Sequence, residues 1–302
     1  PHTPHPAHPP TARPSPPPPL SFWQVTMPFV TVKDGTQLYY EDWGTGRPVV
    51  LLASATMNSR MWEFQGPYLA GHGLRCIMPD RRGFGRSQRP WDGYDYDTLA
   101  DDLACLIDHL GLREVTLVGY AMGGGEAVRY LARHGSHRVA RLALVCATTP
   151  YLLRAADNPD GIDASALEQT TAAMSADRAA YLAQITSVFF GGLQATPETI
   201  PLSGQMMDWM AQQALDSSPR ATVEVTRTLF TQDLREDVRG VDVPTLIVHG
   251  DRDPSAPLEL CARRTAALIP GSRTVVYEGA AHGLFATHAD RLNKQLLEFA
   301  GQ

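Results

Sequence analysis

Several things are scarce in this chain of 302 residues, and each scarcity narrows what it does. Cysteine occurs four times, at Cys76, Cys105, Cys146 and Cys261, far apart in the sequence. Disulfide frameworks and zinc sites need closer, patterned spacing, so these residues read as buried thiols in a reducing compartment, with the cytoplasm the expected location. No apolar run approaches the roughly 18 residues of a membrane span, so no membrane partner is expected. Positive charge is not in excess. The formal net charge of −6 argues against nucleic acid or acidic membranes as main partners. The core histidines are scattered and the cysteines isolated, with no ligand cluster at suitable spacing, so no metal is expected. Internal repeats are absent.

Apolar residues are scarce at the start as well. Ten of the first twenty residues are proline, interrupted by His2, His5 and His8. Such a segment favours solvated, polyproline-like conformations and has too little apolar surface to pack. Residues 1–26 are therefore expected to form a disordered extension, with the three histidines a tail feature rather than a metal site. They lack the basic end and apolar centre of a secretory signal. Met27 is a candidate start, with the earlier residues an upstream extension.

From Met27 the chain is long enough for one large domain with a sizeable core. Phe29 to Val32 and Gln37 to Glu41 flank Asp34-Gly35, a hairpin signal. Short continuous apolar runs, expected for strands buried on both faces, occur at Val49 to Leu52, Leu74 to Met78, Val115 to Val118, Leu142 to Val145 and Thr245 to Val248. Arg273 to Tyr277 is the last expected strand. Between them lie helical patterns, including one through His109 with Asp97 as the expected cap and one closing the chain from Arg291 to Phe299. Strands alternating with helices predict an α/β fold: a mostly parallel sheet flanked by helices, with the hairpin as an antiparallel edge. Thr148 to Arg235 breaks the alternation. Its helical pieces (Ala164 to Met174, Arg178 to Phe189, Gln205 to Leu215, Ala221 to Phe230) predict a helical cap inserted into the core. The expected organisation is a core of residues 27–147 and 236–302 with a cap of 148–235.

One stretch organises the rest: Val118-Gly119-Tyr120-Ala121-Met122-Gly123-Gly124-Gly125. An apolar strand precedes it and a helical run from Glu126 follows. Glycines two before and two after a central residue, between strand and helix, form the frame of a nucleophile elbow. The glycines are needed because side chains there would collide with neighbouring backbone. The elbow exists to present one side chain at the top of the sheet, in front of a helix N-terminus. Here that side chain is Ala121, which has no oxygen to attack with.

After the Thr245 strand comes His249-Gly250-Asp251-Arg252-Asp253-Pro254, and after the last strand Gly279-Ala280-Ala281-His282-Gly283-Leu284. Elbow, then Asp, then His is the chain order of the α/β-hydrolase triad. The sequence resembles that superfamily over essentially all of Met27 to Gln302. With Asp80-Arg81-Arg82-Gly83-Phe84-Gly85-Arg86-Ser87, the Gly-Gly-Gly-Glu after the elbow, and Ala281-His282-Gly283-Leu284, it is similar to the cofactor-free haloperoxidase, or perhydrolase-like esterase, branch. The resemblance implies an α/β-hydrolase fold with a helical cap and no cofactor. It implies Asp253 as the acid, His282 as the base and Ala121 at the nucleophile position. It also implies an oxyanion hole from the backbone N–H groups of Met122 and Ala55, although Ala53-Ser54-Ala55-Thr56 departs from the usual His-Gly-aromatic loop. Trp62, Phe190, Trp209 and Leu284 are the expected substrate-pocket residues. Asp251 is expected to cap or face solvent, His249 to support the strand end, and His288 to belong to the closing helix.

Elbows bearing Asp or Cys, as in dehalogenases or dienelactone-type enzymes, are excluded by Ala121. Two readings stay open. The chain is the frame of a serine hydrolase of small carboxylic esters or lactones, with perhydrolysis an option, whose serine has been replaced. Alternatively it is a natural non-hydrolytic member that binds a small ligand or uses Asp253 and His282 as a base. A homo-oligomer is left open.

Overall fold

Apolar runs of four to six residues with no polar alternation bury both faces only inside a sheet covered on both sides. The computed structural model, which describes residues 28–196 and 199–301, has that arrangement. The proline-rich extension and Met27 lie outside the described residues.

Eight strands form one sheet in the order β1-β2-β4-β3-β5-β6-β7-β8. They are β1 (Phe29–Thr31), β2 (Gln37–Gly44), β3 (Arg47–Leu52), β4 (Leu74–Pro79), β5 (Val115–Tyr120), β6 (Val139–Val145), β7 (Thr245–Gly250) and β8 (Arg273–Tyr277). β2 runs antiparallel to both β1 and β4, and every other pairing is parallel. The hairpin is thus the antiparallel edge. Successive side chains of β3 go to opposite faces, as the pleat dictates: Val50 and Leu52 join one core, Val49 and Leu51 the other. Each such fully buried Val or Leu contributes about 1.5–3 kcal/mol over exposure.

The core helices are α1 (Gln65–Gly71), α2 (Tyr96–His109) and α3 (Met122–His134). Among the described residues, four helices then lie between β6 and β7: α4 (Ala164–Gly191), α5 (Gly204–Leu215), α6 (Pro219–Thr231) and α7 (Arg235–Arg239). Three more follow β7: α8 (Arg264–Leu268), α9 (Leu284–Thr287) and α10 (Ala289–Gly301). No helix of the described residues is long and apolar enough to cross a membrane.

Two expectations need correction. α2 is capped by Asp95, whose carboxylate accepts the N–H of Thr98 at 2.9 Å, and not by Asp97. A cap must sit outside the helix with extended backbone, which Asp95 has and Asp97 does not. Asp97 lies in the first turn and pairs with Arg129 on α3. The cysteines are free, but Cys105 on α2 is only half-buried. The pieces expected at Ala164 to Met174 and Arg178 to Phe189 are the two halves of α4, broken at Asp177 (φ −153°, ψ 89°). Asp177 starts the second half by accepting the N–H of Ala180 at 2.9 Å.

The Asp80–Ser87 segment fastens the core near the carboxyl ends of the strands. The Asp80 carboxylate accepts the N–H groups of Ser59 at 2.7 Å and Arg86 at 2.8 Å. Arg82 meets Asp102 of α2 in a fork at 2.6 and 2.7 Å and reaches Asp34 at 2.8 Å.

Candidate active site

β5, β7 and β8 run parallel, so the loops leaving their carboxyl ends emerge on one side, where ligands bind in such sheets. The first of these turns carries Ala121 at φ 49°, ψ −112°, between the end of β5 and the start of α3. A left-handed φ on a residue with a Cβ costs on the order of 1–3 kcal/mol and persists only where the surroundings enforce it. They do so here. The Ala121 N–H donates to Val145 O at 3.0 Å. A Cβ at Gly119 would lie 2.5 Å from Gly123 O, and one at Gly123 would lie 2.5 Å from Leu52 O. Both obstacles are backbone, so the turn is possible only with glycine at these two positions.

The second loop brings in Asp253. Its Oδ1 accepts the N–H groups of Ser255 and Ala256, each at 2.9 Å, and its Oδ2 faces His282 Nδ1 at 2.6 Å. Burial alone would raise this carboxyl. The His282 imidazole, His249 and the Ala256 N–H outweigh burial and hold it below the usual carboxylate value. Among the described residues no protein group bonds His282 Nε2. The loop carrying His282 is fixed from below, because the Tyr120 hydroxyl donates to the His282 carbonyl. Tyr120 also stands edge-on to the rings of Trp62, His282 and Phe285.

His249 sits under the pair, with Nε2 donating to Ala256 O at 2.6 Å and Nδ1 buried without a partner among the described residues. Burial pushes its pKa down, and the approach of His282 adds to that. Asp251 accepts the N–H of Gly279 at 2.7 Å and so ties the two loops together. His288 lies between α9 and α10 and bonds Thr287 at 2.9 Å.

Cys146 was expected to be an isolated thiol, and it is not one. It follows β6 at φ 45°, and its sulfur, an Asp253 oxygen and a His282 ring nitrogen all lie within 4.8 Å of one another. Only the adjacency of β6 and β7 produces this contact, and linear spacing does not reveal it. A metal there would have to break the 2.6 Å contact between Asp253 and His282. Burial and the Asp253 carboxylate also hold the thiol protonated, well above its usual value. The cluster is thus an acid–imidazole pair with a thiol packed behind it.

The N–H groups of Met122 and Ala55 have no acceptor among the described residues. Met122 is the first residue of α3, whose leading N–H groups are free by geometry. The Ser54 N–H is engaged by the Met61 sulfur at 3.3 Å.

The four expected pocket residues do not share one cavity. Trp62 and Trp209 line a groove of about 320 Å³ between α5 and the segment before α1. Phe190 lines a separate cavity of about 830 Å³ beside Asp253 and His288, and also a narrow slot with Met57, Phe189 and Met210. Leu284 is fully buried in the core. The sequence reading missed Met57 as a slot residue. Ala121 and His282 are only 2% and 3% exposed.

The family model for the alpha/beta hydrolase fold matches residues 47–289. A non-heme haloperoxidase from Rhodococcus erythropolis is 37% identical over 273 residues, covering 90% of this chain and 99% of its own. A bifunctional esterase/perhydrolase from Acinetobacter calcoaceticus is 30% identical, with 90% and 99% covered. The crystal structure of a bromoperoxidase from Bacillus anthracis superposes with a TM-score of 0.86 at 38% identity, covering 91% of this chain and 99% of that one.

Proposed function

Starting from the chain's membership of the α/β-hydrolase family, we propose that it is the frame of a serine-type hydrolase of small carboxylic esters or lactones, standing without its nucleophile. The observation that carries this reading is the backbone of Ala121, held at φ 49° by two obligatory glycines opposite an intact Asp253–His282 pair. Such strain serves no purpose for a methyl group.

In this reading Asp253 holds His282 with Nδ1 protonated and Nε2 bare. A serine hydroxyl at residue 121 would give its proton to Nε2 as the oxygen attacks the ester carbon. The Met122 and Ala55 N–H groups would receive the charge that develops on the carbonyl oxygen. His282 would then return the proton to the leaving alcohol, and water would release the acyl group. Peroxide in place of water would give a peracid, the second activity in the name of the Acinetobacter relative. Residues 148–235 act as a cap, and substrate entry requires it to move from Ala121 and His282.

With alanine the covalent step cannot occur. Loss of the nucleophile in a comparable triad costs on the order of a millionfold in kcat. The test is a matched assay of this chain and Ala121→Ser on short p-nitrophenyl esters. The variant is expected to be faster by several orders of magnitude. A variant as silent as the parent overturns the hydrolase reading and leaves ligand binding, or base catalysis by the His282–Asp253 pair.

A further inference from the structure

The guanidinium of Arg81 is buried, and its hydrogen bonds go to two places. Its Nε meets the carboxylate of Glu126, also buried, on the second turn of α3. Its outer nitrogens meet three successive carbonyls of the loop leaving β3. Nη2 donates to Ala53 O at 2.8 Å, and Nη1 donates to Ser54 O at 3.2 Å and more loosely to Ala55 O at 3.4 Å. One end of this bridge is therefore the helix that begins with Met122. The other end is the loop that contains Ala55.

A peptide unit is planar and trans, so its C=O and N–H point in opposite directions. An Arg81 that captures Ser54 O thereby aims the Ala55 N–H the opposite way, and the Ser54 carbonyl cannot turn over without breaking that bond. The same carbonyl also accepts the Met57 N–H at 3.2 Å, which closes the turn from the other side. Replacing a buried ion pair by apolar groups of similar volume is often neutral or stabilising, so stability alone is a weak reason for placing a guanidinium here. We propose that Arg81, held by Glu126, is the positioning residue that fixes the Ser54–Ala55 peptide so that its N–H faces the space above residue 121 as the second oxyanion donor. This rests on the ester-hydrolase reading.

The experiment has two arms. In the Ala121→Ser chain, Arg81→Lys and Glu126→Gln are each assayed on an oxoester and its thionoester, whose sulfur is a poor hydrogen-bond acceptor. Loss of one oxyanion donor costs on the order of 10²–10³ in kcat. The oxoester kcat is expected to fall by up to that amount with KM little changed, and the oxo-to-thiono ratio to shrink about tenfold or more. A fall shared equally by both esters, with the ratio unmoved, overturns the proposal, because a structural defect would act on both alike. In the chain as it stands, the amide resonances of Ala55 and Met57 are compared between parent and Arg81→Lys. Movement of both, with Gly119 and Tyr120 unmoved, supports the clamp even where the serine variant is inactive and the ester reading has failed. Unmoved Ala55 and Met57 amides overturn it in either case.

Discussion

The ring of Phe189 stands edge-on to the imidazole of His282, with centroids 4.8 Å apart and planes at 81°. Two residues of one helix hold this contact in place. The Phe189 carbonyl accepts the Gly283 N–H at 2.8 Å. Phe190 fills the space where a Cβ of residue 283 would stand.

Phe189 is thus a wall between the imidazole and the narrow slot lined by Met57 and Met210. In the Ala121→Ser chain, Phe189→Ala is expected to raise kcat/KM for a butyrate ester relative to acetate by about tenfold. An unchanged ratio would show that the ring does not limit the acyl group. The truncation should cost about 1–3 kcal/mol, below the range for a fully buried phenylalanine because this ring is half-buried.

Asp253→Asn in the same background leaves a hydrogen-bonding group at the 2.6 Å contact but removes the charge. A comparable change in a Ser-His-Asp enzyme lowers kcat by about 10⁴, and a drop of that order is expected here. A loss under tenfold in steady-state kinetics would mean that another group orients His282.

The elbow glycines differ from a helical glycine whose surroundings are open. Gly123→Ala would drive a Cβ to 2.5 Å from Leu52 O and is expected to destabilise by at least about 1–3 kcal/mol. Gly204→Ala, at the first residue of α5, meets nothing within 4 Å and should be neutral or stabilising by up to about 1 kcal/mol. Thermal melting of the two variants against the parent distinguishes them.

Acid should destabilise the chain through His249 before it does so through Asp253. His249 has a lowered pKa, mainly from burial, so the folded state resists its protonation. Its share of stability is present above the ordinary histidine value of about 6.5 and is lost as pH falls below it. Asp253, the nearest carboxylate at 3.6 Å, is itself held below 3.8, so its contribution is lost only at more acid pH. His288 shares the direction of His249 through burial and Arg291, so it stays as background. The melting temperature of the parent should fall more steeply between pH 7 and pH 5 than that of His249→Gln. Parallel curves would remove His249 from the account.

The strands, the elbow and the order of Asp253 and His282 were legible in the sequence because apolar runs and flanking glycines are local signals. The cap of α2 fell two residues from its expected place because Asp95 and Asp97 carry the same chemistry, and only the backbone conformation separates them. Cys146 beside Asp253 was not legible, since it depends on which strands are neighbours. The pocket was the least legible part. Whether Trp209 lies near Phe190 depends on how α5 rests on the core, and the two line different cavities. Arg81 stood in a recognisable motif, yet its three carbonyl partners follow from the path of a loop with no periodicity to read.

The backbone at residue 121 has a consequence in genetic terms. Alanine and serine codons differ at a single base, so one nucleotide separates this chain from one bearing a hydroxyl on the same turn. The left-handed φ at residue 121 and the two crowded glycines around it are retained on both sides of that change.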